Sequence, residues 1–168
     1  RAKLLMTVCD EIPCSRNARH NHANSLIQKA LTTAEFAAIW EPKGLFATDK
    51  KRPDGMTTFP YKGGKSLAWD FTVVDTVCAA YCHTSAEEPC KTAEQAELRK
   101  IHKYRHLTDF HFIPIGVETL GPFGPHAVQF LEDLGNKISQ INGERRPKSF
   151  LFQSIGVAIQ RGNASCDM

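Results

Sequence analysis

The segment KRPDGMTTFPYKGGKSLAWDFTVVD, Lys51 to Asp75, reads as a β-hairpin with a carboxylate on each arm. Arg52-Pro53-Asp54-Gly55 is a turn-like string leading into a strand of moderate quality, Met56–Tyr61. Lys62-Gly63-Gly64-Lys65 supplies the glycines that a tight hairpin turn requires. Leu67 to Val74 is the second arm, apolar apart from Asp70 and Thr72. A carboxylate in a half-buried strand is costly unless a positive group neutralises it. A divalent cation does this well, and Mg²⁺ prefers carboxylate oxygens and water.

Register decides whether Asp54 and Asp70 share such an ion. With the turn centred on Gly63-Gly64, paired positions sum to about 127, so Asp54 falls opposite Val73 and Asp70 opposite Thr57. The two acids are then about three residues out of register, roughly 10 Å along the strand. A bulge, the sheet twist or a different turn centre closes that gap. A shared cation needs the carboxylates to converge within about 4–6 Å. Residue types alone leave a second reading open, with Asp54 capping a turn and Asp70 on an edge strand.

The flanking segments complete an α/β pattern. Ala23, Leu26, Ile27, Ala30, Leu31 and Ala34 recur at helical spacing, predicting a helix from Arg19 to about Ala34 with Arg19 and His20 on the same side. Phe36–Trp40 is a short apolar strand stopped by Pro42. An irregular insert follows the hairpin from Asp75 to about Thr92, then a helix over Thr92–Leu107 and a buried strand over Phe110–Glu118. Gly121-Pro122-Phe123-Gly124-Pro125 breaks that strand. A helix is expected over Pro125–Ile141. The stretch Ser149–Gly162 reads as a helix too, although Phe150, Phe152, Val157 and Ile159 also alternate as in a strand. The helix before the last strand permits a crossover, so the expected fold is a mixed four-stranded sheet flanked by helices.

The chain has 168 residues, enough for one domain with a sizeable core, and a charge of +3 that permits nucleic-acid binding without demanding it. No apolar run approaches the roughly 20 residues of a membrane span. Leu4–Val8 is too short for a signal-peptide core. Six cysteines without a secretory signal read as thiols rather than a disulfide framework. The chain begins at Arg1 and is expected to be a piece of a longer polypeptide.

The strings RPDG, LAWDFTVVD, KIHKY and FIPIGVETLGPFGP resemble the restriction-enzyme-like endonuclease domain of non-LTR retrotransposon proteins, within the PD-(D/E)XK nuclease superfamily. The resemblance extends to CSRNARHNHANSLIQKAL and EPKGL upstream and SFLFQSIGVAIQRGNAS downstream, from about Cys14 to Ser165. It implies a restriction-endonuclease-like core, α-β-β-β-α-β, followed by two C-terminal helices. It implies that Asp54 and Asp70 are catalytic ligands of Mg²⁺ or Mn²⁺, which would activate a water and neutralise the leaving oxygen. It divides the chain into residues 1–18, an N-terminal segment with a remnant zinc knuckle, and 19–168, the nuclease domain. Relatives of this type carry a reverse transcriptase (an RNA-directed DNA polymerase) before the nuclease, and its paired-Asp signature is absent from this chain. The implied partners are DNA and, through the missing polymerase part, element RNA, with no membrane; the implied location is the nucleus.

The superfamily's usual lysine lies two residues after the second acid, where this chain has Thr72. In the retrotransposon branch the lysine has moved to the following helix, which leaves Lys100 and Lys103. Ala93, Ala96, Ile101, Tyr104 and Leu107 define that helix's inner face. Lys100 projects near its centre and Lys103 near its edge, so Lys100 is the first choice for polarising the water and Lys103 the second. Glu97 shares the face and could pair with Lys100 or reach the metal.

Cys9, Cys14, His20 and His22 form C-x4-C-x5-H-x-H, a loose spacing for Zn²⁺; idle thiols and helix-start histidines fit it better. Cys78, Cys82 and Cys90 lack a fourth ligand other than His83. Arg16, Arg19 and His20, with Arg52 beside the turn, form the candidate nucleic-acid-binding set, and a solvated face reads equally well. Arg145, Arg146 and Lys148 read as a solvated loop. Trp69 reads as core, because neighbours on a strand point to opposite faces. The expected function is metal-dependent nicking of target DNA to prime reverse transcription. The alternative is a catalytically inactive nucleic-acid-binding module from a decayed or domesticated element, and beyond that a structural α/β domain.

Overall fold

A computed structural model describes residues 13–42, 52–79, 81, 83, 86 and 88–165. Helix α1 (Pro13–Thr33) is followed by β1 (Ala38–Trp40), β2 (Gly55–Lys62) and β3 (Lys65–Val74). Then come α2 (Lys91–Lys103), β4 (Phe110–Glu118), α3 (Pro125–Asn142) and α4 (Pro147–Ala164). The strands form one sheet in the order β1-β2-β3-β4, antiparallel except for the parallel β3–β4 pair. The α2 crossover makes that parallel pairing possible. The fold is therefore α/β with a mixed four-stranded sheet.

Strand alternation assigns the two faces. Leu67, Trp69 and Phe71 of β3 and Ile115 and Val117 of β4 pack on α1, α3 and α4 in the main core. Ala68 points the other way and packs with Tyr104, Leu107, Met56, Phe110 and Phe112 beneath α2. Asp70 has the parity of Ala68 and faces α2 as well. Trp69 is fully buried, as expected of a core residue.

Several boundaries shift for local reasons. Helix α1 begins six residues before the expected start at Arg19, and Phe36 N–H closes it by returning to Leu31 O at 2.8 Å. Helix α2 stops at Lys103, where the Tyr104 N–H bonds back to Lys100 O at 2.9 Å. The ambiguous C-terminal stretch is helical, with Pro147 in its first turn.

The hairpin register is the feature that builds the site. At its tip Gly63 and Gly64 take φ of 59° and 76°, and Lys62 pairs with Lys65. The ladder then slips twice, between Lys62 and Pro60 and between Pro60 and Met56. Below the slips Met56 pairs with Ala68 and Gly55 with Trp69. Asp54 is the next residue out, level with Asp70, so the offset expected from a regular ladder is gone. Two residues explain the bulge. Pro60 has no N–H to lose. Thr57, fully buried, accepts from Leu67 N–H at 2.9 Å and donates to Phe59 O at 2.8 Å, replacing the missing ladder bonds with its side chain. At Gly55 the backbone lies against the Trp69 ring, where a Cβ would come within 2.2 Å of Cζ2.

Candidate active site

Four buried or half-buried carboxylates lie near the centre of the described structure, and their partners sort them into two kinds. Glu97 and Glu118 hold helix N-termini. Glu97, with no exposed surface, accepts from the backbone N–H of Gly116 (3.2 Å), His126 (3.0 Å) and Ala127 (2.9 Å) and contacts His126 Nδ1 at 3.0 Å. It thereby caps α3, where a negative charge is favoured. Glu118 accepts from Thr92 Oγ1 at 2.5 Å at the start of α2. The expectation that Glu97 pairs with Lys100 or reaches a metal is corrected by this geometry: its oxygens are committed to backbone donors some 20 to 30 residues away in sequence.

Asp70 is instead held by a lysine and a tyrosine, and Asp54 by a histidine, an asparagine and one backbone N–H. Asp70 is 3% exposed. Its Oδ2 lies 2.5 Å from Lys100 Nζ and its Oδ1 2.7 Å from the Tyr104 hydroxyl. That hydroxyl also lies 2.6 Å from Arg52 O and accepts from Lys103 Nζ at 2.9 Å. Helical spacing explains the set: Lys100 and Tyr104 are four residues apart and fall on one face. Burial, then the charge and hydrogen bond of Asp70, push the Tyr104 hydroxyl far above its ordinary pKa, with a further push from the Asp54 charge. Tyr104 is thus a neutral donor at any working pH.

Asp54 Oδ2 accepts from Phe71 N–H at 2.7 Å and Asn24 Nδ2 at 3.2 Å, and contacts His20 Nε2 at 2.9 Å. His20 Nε2 lies 3.0 Å from Phe71 O, between two oxygens. Asn24 also accepts from Trp69 Nε1 at 3.0 Å, which locks its amide orientation. The hydrogen bond and charge of Asp54 raise the His20 pKa against the effect of burial. Burial opposes the Asp54 charge, but His20, Phe71 N–H and Asn24 outweigh it and leave the Asp54 pKa lowered.

The two acids are therefore level along the strands but held from opposite layers, Asp54 by α1 and Asp70 by α2. Their fields meet at the Tyr104 hydroxyl. Among the described residues no three His, Cys, Asp or Glu side chains group as a metal cage. Carboxylate oxygens are the donor type that Mg²⁺ takes, commonly one or two of them with several waters. They do not fit a structural Zn²⁺ site, which is closed by four N or S ligands. Cys9 and Cys82 lie outside the described residues, as do the side chains of Cys14 and Arg16.

The remaining candidates take these places. Lys103 sits over the Tyr104 ring at 4.5 Å and reaches Asp70 only through its hydroxyl. Arg52 is half exposed, 3.9 Å from Glu41. Arg19 is 9% exposed and donates to Asn163 of α4, with Gly162 packed on its stem, while its Nε is buried with no hydrogen-bond partner. His22 is exposed. Thr72 Oγ1 is buried with no hydrogen-bond partner. Asn24 and Tyr104 belong to the site but carry no sequence signal beyond their inward helical projection.

No protein-family model matches this chain, and no curated protein matches it.

Proposed function

We propose that this protein is a metal-dependent DNA endonuclease domain of restriction-endonuclease-like topology, derived from a retrotransposon polyprotein and nicking target DNA for target-primed reverse transcription. The observation that carries the reading is the alignment of Asp54 with Asp70 across a bulged hairpin, beside a lysine from the following helix. The element order α-β-β-β-α-β with two further helices supports it, and so does the placement of Lys100 rather than Thr72 against Asp70.

In this reading Asp54 and Asp70 hold Mg²⁺ or Mn²⁺. When bound, the ion activates a water and neutralises charge on the leaving oxygen. Tyr104 orients Asp70 by donating to Oδ1. Phe71 N–H and Asn24 orient Asp54. Lys100 neutralises Asp70 and is the amine that would steady a phosphate or polarise a water beside it. Lys103 supports it through Tyr104.

The test is incubation of supercoiled plasmid with purified protein in Mg²⁺ and in EDTA. Metal-dependent conversion to open circles supports the reading, and its absence in both Mg²⁺ and Mn²⁺ overturns it. One observation favours a second reading, a catalytically inactive nucleic-acid-binding module: each acid already has a basic partner, Lys100 or His20, and the two are held from opposite layers. Salt-dependent DNA binding without cleavage would establish that alternative.

A further inference from the structure

The residues from Arg99 to His106 read RKIHKYRH, six of eight of them basic. Cations at a helix C-terminus complement the macrodipole, but one or two suffice and the effect fades within a turn. Helices α1 and α3 have no basic residue in their last turns. Like charges at i,i+3 and i,i+4 destabilise a helix, and the helical part of the run contains Arg99/Lys103 and Lys100/Lys103 at those spacings. The run thus holds more cations than the end of α2 uses, with Arg105 and His106 beyond the helix, and an anion beside it would compensate the excess.

Internal carboxylates do not. Among the described residues only Lys100 of the run has a carboxylate within ion-pair distance, Asp70. Arg99 lies 5.8 Å from the Tyr81 ring and Arg105 Nε 3.4 Å from His106 Nε2. Arg99, His102, Arg105 and His106 are exposed. The Tyr104–Arg52 O contact places half-exposed Arg52 against this same turn. Beyond Leu107, Lys65 Nζ donates to Thr108 O at 2.6 Å, which adds the hairpin tip with Lys62. The cations thus run from Arg52 past Lys103 and Arg105 to the hairpin, beside Asp70.

We propose that this run is a phosphate-binding track for duplex DNA, contacting the backbone that flanks the cleft. Its location beside Asp70 gives it meaning under the nuclease reading, on which it rests, but binding is separable from cleavage. The second basic patch, Arg145 and Lys148, is the internal control, since Lys148 already pairs with Glu132 at 3.3 Å and lies on α4.

The experiment titrates a short labelled duplex in EDTA over a range of salt, with wild type, Arg99→Gln/Arg105→Gln and Arg145→Gln/Lys148→Gln. Losing two phosphate contacts should flatten the slope of log K against log salt by about 2 units, at about 0.9 per contact. The control pair should keep the wild-type slope. Arg99→Lys/Arg105→Lys should keep it too, which separates loss of charge from loss of fold. An unchanged slope in the Gln pair, an equal loss in the control, or no binding by wild type overturns the track. Binding through the track without metal-dependent nicking leaves the track standing and removes the nuclease reading. Nicking by wild type with wild-type binding by the Gln pair does the reverse.

Discussion

Lys100 Nζ of α2 lies 2.5 Å from Asp70 Oδ2 of β3. The contact joins the helix to the strand and places an amine on one of the two carboxylate oxygens. Removing the amine leaves a buried carboxylate without its cation, a cost of about 3 kcal/mol because Lys100 is partly solvated. Lys100→Ala should therefore melt earlier in EDTA and gain more from Mn²⁺ than wild type does, since bound ion stabilises by mass action. Its nicking rate should fall by about 100-fold or more, the range of general acid–base assistance. Thermal shifts with and without Mn²⁺ check the first part. Equal Mn²⁺ stabilisation in both proteins would argue that Asp70 is not a ligand.

Thr72 lies two residues after Asp70, on the same face of β3, and its buried hydroxyl has no partner. A lysine placed there reaches the same space from the strand that Lys100 reaches from the helix. In a Lys100→Ala background, Thr72→Lys should recover a measurable part of the nicking activity. No gain over Lys100→Ala alone counts against Lys100 acting as a mobile cation at the cleft.

Thr57 sets the register that aligns the acids. Thr57→Val keeps the shape but strands Leu67 N–H and Phe59 O, a cost of about 1–3 kcal/mol. The variant should lose stability in urea denaturation and lose nicking by a larger factor than its folded fraction explains. If nicking falls only in proportion to unfolding, the bulge is not what aligns Asp54 with Asp70.

The His20–Asp54 contact gives stability a defined pH dependence. The raised His20 pKa contributes stability that is fully present below about pH 6.5 and is lost as pH rises through the folded value. The lowered Asp54 pKa contributes stability present above about pH 4 and lost as pH falls through its own folded value. The stability lost in His20→Gln, measured in metal-free urea titrations, should be largest near pH 5 and shrink toward pH 8. A loss independent of pH would mean that the contact is not an ion pair.

Much of this was legible in the sequence, and the reasons differ by element. The KGGK turn and apolar alternation place the hairpin because those signals are local. Helical projection puts Lys100 at the centre of the inner face because α2 is regular. The register was legible only as far as its offset, since the correction comes from Pro60 and from one buried threonine whose side chain replaces ladder bonds. Glu97 looked like a site residue because its actual partners, at the start of α3, are distant in sequence. The Arg19 contact with Asn163 was hidden for the same reason, since Asn163 lies at the far end of the chain. Asn24 and Tyr104 were invisible as site residues because their roles are relations between layers.

The most direct measurement is the rate of plasmid nicking by wild type and Asp70→Asn in Mg²⁺, with circular dichroism confirming that both are folded. The substitution keeps the shape of Asp70 and removes its charge. Wild type should nick in Mg²⁺ and not in EDTA, and Asp70→Asn should be slower by at least about 100-fold, because several kcal/mol of charge stabilisation goes with the ion. Equal rates for the two proteins, or no metal-dependent nicking by wild type, would contradict the assignment.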